Sequence, residues 1–349
     1  MTKKELIDEN LYLKQTVEQL FHLIDTLSPK QNTISTELNF CSAYSYWMES
    51  RKNQLQPRTY EGYRAISKQL ISYFEPLGYK VHEVSAEHIM EYYQNRLLAG
   101  LSPNTIQRHH ANLLTFFKYA IKQGWTDKNP MLDVRRPGEI TVIHDYYSKE
   151  ELEKLLKAAK DSHIYTAILF ATLGLRRSEI CALRWRHIDF ANGTVHIREK
   201  AYKVNGEPEK IIPELKSAGS YRKLALPAHF LSYLQELRSR QQETAAQAGY
   251  RFTDDDFICG FKPGEPLKLN TVTQAFHDLL RKYHLRPIRF HDLRHTCATL
   301  MMASGYSLKH IQTWLGHSQI STTGDIYLHI SLEEKQKIAN SMDTFFINL

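Results

Sequence analysis

The chain has 349 residues, with 45 Lys+Arg against 38 Asp+Glu, a formal net charge of +7 and 42% hydrophobic residues, enough for two domains with a core each and suited to a polyanionic partner. Cys41, Cys181, Cys259 and Cys297 are dispersed and form no CxxC, which excludes a disulfide framework and leads us to expect a reduced, cytoplasmic protein. No apolar run is long enough to span a bilayer, and no secretory h-region follows Met1-Thr2-Lys3-Lys4-Glu5.

Residues 1–30 predict an amphipathic helix. Leu6, Leu13, Leu20 and Leu27 recur every seven residues, and Asn10, Val17 and Ile24 each fall three before the next leucine. This is the d/a seam of a parallel two-stranded coiled coil, although Ile7, Leu11, Phe21 and Leu23 widen the apolar face as in a helix packed on its own protein. Residues 33–134 then predict a compact domain of four helices. The first carries Phe40, Tyr44 and Trp47; the second opens at Pro57 and buries Tyr63, Ile66, Leu70 and Phe74; the third runs from Ser85 to a stop at Gly100. The fourth has Ser102 as N-cap and Pro103 at its first position, carries Ile106, Leu113, Leu114, Phe117 and Ile121, and ends at Gly124. Arg58, Arg64, Lys68, Arg108, Lys118 and Lys122 suit phosphate contacts or a plain solvated surface. The His109-His110 pair is expected to be solvated or to face DNA rather than a metal.

Arg135-Arg136-Pro137-Gly138 reads as a boundary, with a linker over 135–147. A second domain, 148–349, begins with Ser148 and a capping box completed by Glu151. Ile164 to Leu173 predicts a buried helix closed by Gly174, which leaves Arg176 on a turn between two helices, with Glu179 ordering that turn. Asn192-Gly193 between alternating apolar residues predicts a hairpin, so a small sheet interrupts a helical domain. The stretch from Leu215 to Pro227 puts Lys216 ahead of a tight turn on a further hairpin, with Lys223 nearby. Trp185 and Trp314 read as core, and His295 as a packed or hydrogen-bonded helix residue. Past Tyr327, an amphipathic tail carries Ile338, Met342, Phe345 and Phe346.

Chemistry concentrates near the C-terminus in His291-Asp292-Leu293-Arg294, Leu315-Gly316-His317 and Tyr327. His291 and Arg294, three apart, would share a helix face and could hold one phosphate. Guanidinium forks at Arg176 and Arg294 match the non-bridging oxygens of a phosphodiester under attack. A phenol needs a base or a positive field to attack at neutral pH, and His291 and His317 with the arginines offer both. A lysine with a lowered pKa can protonate the leaving oxygen. His291-Asp292-Leu293-Arg294-His295 superficially resembles the HExxH zinc helix, but Asp replaces the catalytic Glu, an arginine sits inside the motif and no third ligand has an obvious spacing. No metal or cofactor is expected.

Five motifs occur in one order: T-L-G-L-R-R-S-E around Arg176, L-K-S-A-G-S-Y-R around Lys216, R-F-H-D-L-R-H-T-C-A-T around His291 and Arg294, W-L-G-H-S around His317, and S-T-T-G-D-I-Y-L-H around Tyr327. In these, from about Thr33 to Leu349, the chain resembles the tyrosine recombinase (phage integrase) family. The resemblance implies a mainly α fold with a small β-sheet: a helical, SAM-like core DNA-binding domain and an α+β catalytic domain that clamp opposite faces of a duplex. It also implies a nucleophile at Tyr327, phosphate-binding Arg176 and Arg294, a proton donor at Lys216 and assisting His291 and His317. Assembly as a homotetramer on double-stranded DNA sites, exchange through a four-way junction and an accessory directionality protein are expectations from the same source. The tail docks on a neighbouring protomer in that family, or folds back on its own domain. The expected function is a site-specific recombinase, an integrase of a phage or mobile element; a Xer-like or invertase-type recombinase and a non-enzymatic DNA-binding regulator are the alternatives.

Overall fold

The computed structural model describes residues 37–136, 138, 145–204, 207–213, 221–262 and 264–316. The N-terminal heptads, the segment of Lys216, and everything from His317 onward, including Tyr327 and the tail, lie outside the described residues. The chain divides into two compact units, 1–141 and 142–349.

The described part of the first unit is built on α1 (Phe40–Ser50), α2 (Pro57–Phe74), α3 (Ala86–Leu98) and α4 (Pro103–Lys122). Local chemistry sets their ends. The Asn39 side chain accepts from the Cys41 and Ser42 backbone N–H groups at the head of α1, and Ser102 accepts from Thr105 N at 3.2 Å at the head of α4. Gly100 and Gly124 take the left-handed conformation just past α3 and α4, at φ +92° and +71°. The core is aromatic: Phe40, Phe74 and Phe116 are buried, with the Phe40 ring 4.9 Å from Phe74 and 5.4 Å from Phe116 between centroids.

Two expectations for α4 fail for one geometric reason. The buried stripe follows Ile106, His109, His110, Leu113, Phe116, Phe117 and Ala120, the i, i+3, i+4, i+7 rows of a 3.6-residue helix. Ile121 falls off this stripe and is 40% exposed, whereas His109 and His110 fall on it and are 1% and 7% exposed. The two imidazoles are therefore neither solvated nor DNA-facing. The His109 Nδ1 lies 2.8 Å from the Tyr92 hydroxyl and the His110 Nδ1 3.2 Å from that of Tyr93, so consecutive histidines on α4 pair with consecutive tyrosines on α3. The six cationic side chains noted from the sequence are exposed.

The second unit carries α5 (Lys149–Ala159), α6 (Tyr165–Thr172), the one-turn α7 (Arg177–Ile180), α8 (Ala228–Gln247), α9 (Leu269–Lys282), α10 (Asp292–Ala303) and α11 (Leu308–Leu315). Its strands are β1 (Ile188–Asp189), β2 (Thr194–Ile197), β3 (Lys200–Tyr202), β4 (Lys210–Ile212) and β5 (Arg222–Ala225). One antiparallel sheet has the order β1-β2-β5, with Val195 opposite Leu224 and Ile197 opposite Arg222; β3 and β4 pair separately. The hairpin at Asn192-Gly193 is present, with Gly193 at φ +59°. The described strands on either side of Lys216 do not pair with each other: β4 joins β3 and β5 joins β2.

The core that fixes these pieces runs through Phe170, Trp185, Leu234, Phe276 and Leu293. Trp185 is buried and donates through its Nε1 to Gln241 Oε1 at 2.9 Å. Trp314 packs against the same core and donates to the Leu173 carbonyl at 2.8 Å. Ser148 and Glu151 form the expected capping box at the head of α5. Among the described residues, no helix is long and apolar enough to cross a membrane.

The buried histidines make stability pH-dependent. Burial first, and the charge of Arg96 second, lower the His109 pKa from 6.5 to about 4. The folded state therefore favours the neutral ring, so the stabilisation is complete above pH 6.5 and is lost as the pH falls from there towards 4. Urea melts of the full chain across that window should lose up to about 1.4 kcal/mol per pH unit from this group, and His109→Gln should remove that part of the slope. An unchanged slope in the variant would contradict the assignment.

Candidate functional site

The site begins where two helices end against each other. α6 stops at Gly174, φ +91°, and α11 stops at Gly316, φ +69°. The last carbonyls of a helix have no partner within it and carry the negative end of its dipole. Here they meet arginines. Arg294, on the first turns of α10 and 3% exposed, donates to the Gly174 carbonyl and, at 2.6 Å, to the Leu315 carbonyl. Arg176 donates to the Gly316 carbonyl at 3.3 Å, and Arg222 to that of Trp314 at 3.1 Å.

One carboxylate ties the arginines together. Glu179, on the single turn of α7, is 2% exposed. Its two oxygens accept from the Arg176 backbone N at 2.9 Å, the Arg176 Nη1 at 2.8 Å, and the Arg222 Nη1 and Nη2 at 3.2 and 3.0 Å. Burial alone would raise its pKa, but the charge and hydrogen bonds of Arg222, followed by those of Arg176, outweigh that and hold it below the ordinary value. Removing one partner of a buried pair of this kind costs about 3–5 kcal/mol. Glu179 thus orders the arginine turn, as its position three residues after Arg176 suggests.

Three guanidiniums against one carboxylate leave positive charge in excess around Arg294. Burial first, then the charge of Arg176, lower its pKa from 12.5 to about 9. An anion beside the cluster would offset that excess charge, so the cluster favours binding one. Arg176, with its side chain 31% exposed, is the member through which an anion from solvent could enter.

His291 occupies the N-cap position of α10, without a side-chain capping bond, and is exposed to solvent. Partial desolvation first, and then the charge of Arg294, lower its pKa from 6.5, so the neutral ring, able to accept a proton, prevails near pH 7. Its ring lies 5.4 Å from that of His295 in an edge-on contact. Asp292 is occupied elsewhere: its carboxylate accepts from the Arg289 backbone N and guanidinium, both at 2.8 Å. Among the described residues, no group of three His, Cys, Asp or Glu could hold a metal ion.

Of the site residues expected from the sequence, the structure brings together Arg176, His291 and Arg294. Lys216, His317 and Tyr327 lie outside the described residues, although His317 directly follows Gly316, whose carbonyl Arg176 holds. Arg222 was not anticipated. Its signal was present, because alternation along β5 places it on the inward side with buried Leu224, where a cation requires a partner. Lys223 is exposed on the other side, near Asp189 and His196.

Residues 146–334 match the model described as phage integrase family, and residues 39–135 match the phage integrase SAM-like domain. A tyrosine recombinase XerC-like protein of Caldanaerobacter subterraneus subsp. tengcongensis is 27% identical over 321 residues, covering 87% of this chain and 82% of the relative. The ICEBs1 integrase of Bacillus subtilis is 23% identical over 314 residues, covering 88% and 84%. Among solved structures, the Tn1549 transposon integrase in complex with transposon right end DNA superposes with a TM-score of 0.72 at 23% identity, covering 88% of this chain and 99% of that one. A lambda integrase dimer bound to a COC′ core site gives 0.62 at 19% identity, covering 82% and 97%. These likenesses show the fold.

The meeting of the two helix ends is testable. A Cβ on Gly174 would lie 2.5 Å from Leu315 Cδ2 and would also have to adopt φ +91°, whereas Gly305, at φ +87°, has open space around it. Gly305→Ala therefore measures the backbone cost alone, about 1–3 kcal/mol. Thermal melts should show Gly174→Ala as clearly the more destabilising of the two, and equal losses would mean that the contact between α6 and α11 is loose.

Proposed function

The chain belongs to the phage integrase family, and on that premise we propose that it is a site-specific DNA recombinase, an integrase of a phage or mobile element that cuts and rejoins DNA through a 3′-phosphotyrosyl intermediate. The observation that carries this reading is the excess positive charge of Arg176, Arg222 and Arg294 around the single carboxylate of Glu179.

In the first step the Tyr327 hydroxyl oxygen attacks the scissile phosphorus, the bond from phosphorus to the 5′ oxygen breaks, and the 3′ phosphate remains on the tyrosine. Arg176 and Arg294 stabilise the charge that grows on the non-bridging oxygens; by analogy with oxyanion donors, each is worth about a hundred- to a thousandfold in rate. His291 and His317 take up or hydrogen-bond the phenol proton, and Lys216 protonates the leaving 5′ oxygen. The outward side chain of Lys223 supports Lys216 over its neighbour as donor. A 5′ hydroxyl of the second strand then attacks the phosphotyrosine and releases Tyr327, so bond energy is conserved without water or a metal.

In this reading residues 33–134 and 148–349 are the core DNA-binding and catalytic domains, joined by a linker over 135–147, with residues 1–30 as an appended helix. Double-stranded recombination sites are the partner, a homotetramer is the working form, and an accessory protein sets direction in the cytoplasm. A Xer-type recombinase, favoured by relatives that carry that name, is the second reading and shares this chemistry.

The test uses nicked duplexes selected for tight binding. The enzyme should form a covalent adduct that survives denaturing gels and excess chelator, and Tyr327→Phe should bind the same DNA without forming it. An adduct that persists in Tyr327→Phe, or one that disappears with chelator and returns with magnesium, would overturn the mechanism; binding without any adduct would leave a DNA-binding regulator.

A further inference from the structure

Among the described residues of the second unit, Arg222 is a nearly buried cation that lies outside the expected catalytic set. Its side chain is 6% exposed and it reaches two different parts of the site at once. Through Nη1 and Nη2 it holds both oxygens of Glu179, and through Nε it holds the Trp314 carbonyl at the end of α11. Each contact leads to a residue with a chemical task. Glu179 fixes the backbone and guanidinium of Arg176, and Trp314 lies three residues before His317. In the sequence, Arg222 follows Lys216 by six residues.

We propose that Arg222 is a positioning residue for strand cleavage: acting through Glu179, and through the α11 terminus whose Gly316 carbonyl Arg176 holds, it sets the Arg176 guanidinium against the scissile phosphate. This rests on the recombinase reading above. Arg222 fits the task because its fork can span both carboxylate oxygens and still spend Nε on a carbonyl, whereas a lysine offers one compact charge and no fork. With Arg222→Lys, charge is retained but Glu179 is gripped at a single point, so Arg176 can rotate off the phosphate direction while DNA affinity, set mainly by the broader cationic surface, stays the same. Arg222 touches no reacting atom in this account, and its effect must pass through Arg176.

That dependence separates positioning from general structural support. The rate of covalent adduct formation under single-turnover conditions is measured for the unsubstituted enzyme, Arg222→Lys, Arg176→Lys and the double variant, alongside DNA affinity and thermal midpoint. With affinity and midpoint unchanged, Arg222→Lys should slow adduct formation at least about tenfold in the unsubstituted background and less than about threefold on top of Arg176→Lys, the non-additivity expected of residues acting as one unit. Equal fold-losses in both backgrounds, or a rate within about twofold of the unsubstituted enzyme, would overturn the proposal. If Arg222→Lys lowers the melting midpoint, the same comparison with Arg222→Gln below its own midpoint decides by the same two outcomes. Absence of any Tyr327-dependent adduct from the unsubstituted enzyme would instead refute the recombinase reading, which keeps the two failures distinguishable.

Discussion

The buried carboxylate of Glu179 organises the second unit as a chemical device. Alone in a protein interior it would be costly and would take up a proton. Paired with Arg176 and Arg222 it stays ionised, and it converts two long, mobile cationic side chains into fixed ones. The helix ends do the complementary work for Arg294, which makes no salt bridge with Glu179 but rests on the Gly174 and Leu315 carbonyls. Carbonyl dipoles orient a guanidinium without neutralising it, so the cluster keeps the excess charge that a phosphodiester can use.

This arrangement explains why the site draws on segments far apart in sequence. A guanidinium held by a distant carbonyl or carboxylate can be no better placed than the helices that carry those groups. Gly174 and Gly316 let α6 and α11 stop close together, Trp314 ties α11 to the end of α6 through the Leu173 carbonyl, and β5 supplies Arg222. The small sheet, slight as it is, therefore has a direct chemical consequence. In the proposed mechanism, two positioned arginines take over the charge stabilisation that a bound divalent ion provides in metal-dependent phosphoryl transfer.

Much of this was legible in the residues. Caps such as Ser102-Pro103 and Ser148 with Glu151 are local hydrogen-bonding choices, so helix starts could be read directly, and Gly174 announced both the end of α6 and the turn that carries Arg176. Burial was harder to read where polarity misleads. His109 and His110 look like surface residues until the 3.6-residue period puts them on the buried stripe, where Tyr92 and Tyr93 satisfy them. Arg222 escaped because a lone arginine in a short strand carries no sign of its partner; the Glu179 it meets lies 43 residues earlier, and only the fold brings them together. The pairing of β5 with β2 is likewise a long-range choice that the turn-like residues around Lys216 do not reveal.

The central claim is that the arginine cluster acts on the charge of the phosphate. It is tested most directly by measuring adduct formation by Arg176→Ala on a natural phosphodiester and on a methylphosphonate, in which one non-bridging oxygen is replaced by an uncharged methyl group. The account predicts a loss of about a hundred- to a thousandfold on the charged substrate and little or none on the neutral one. The same large loss on both would contradict it, because Arg176 would then be serving the site in some way other than meeting that charge.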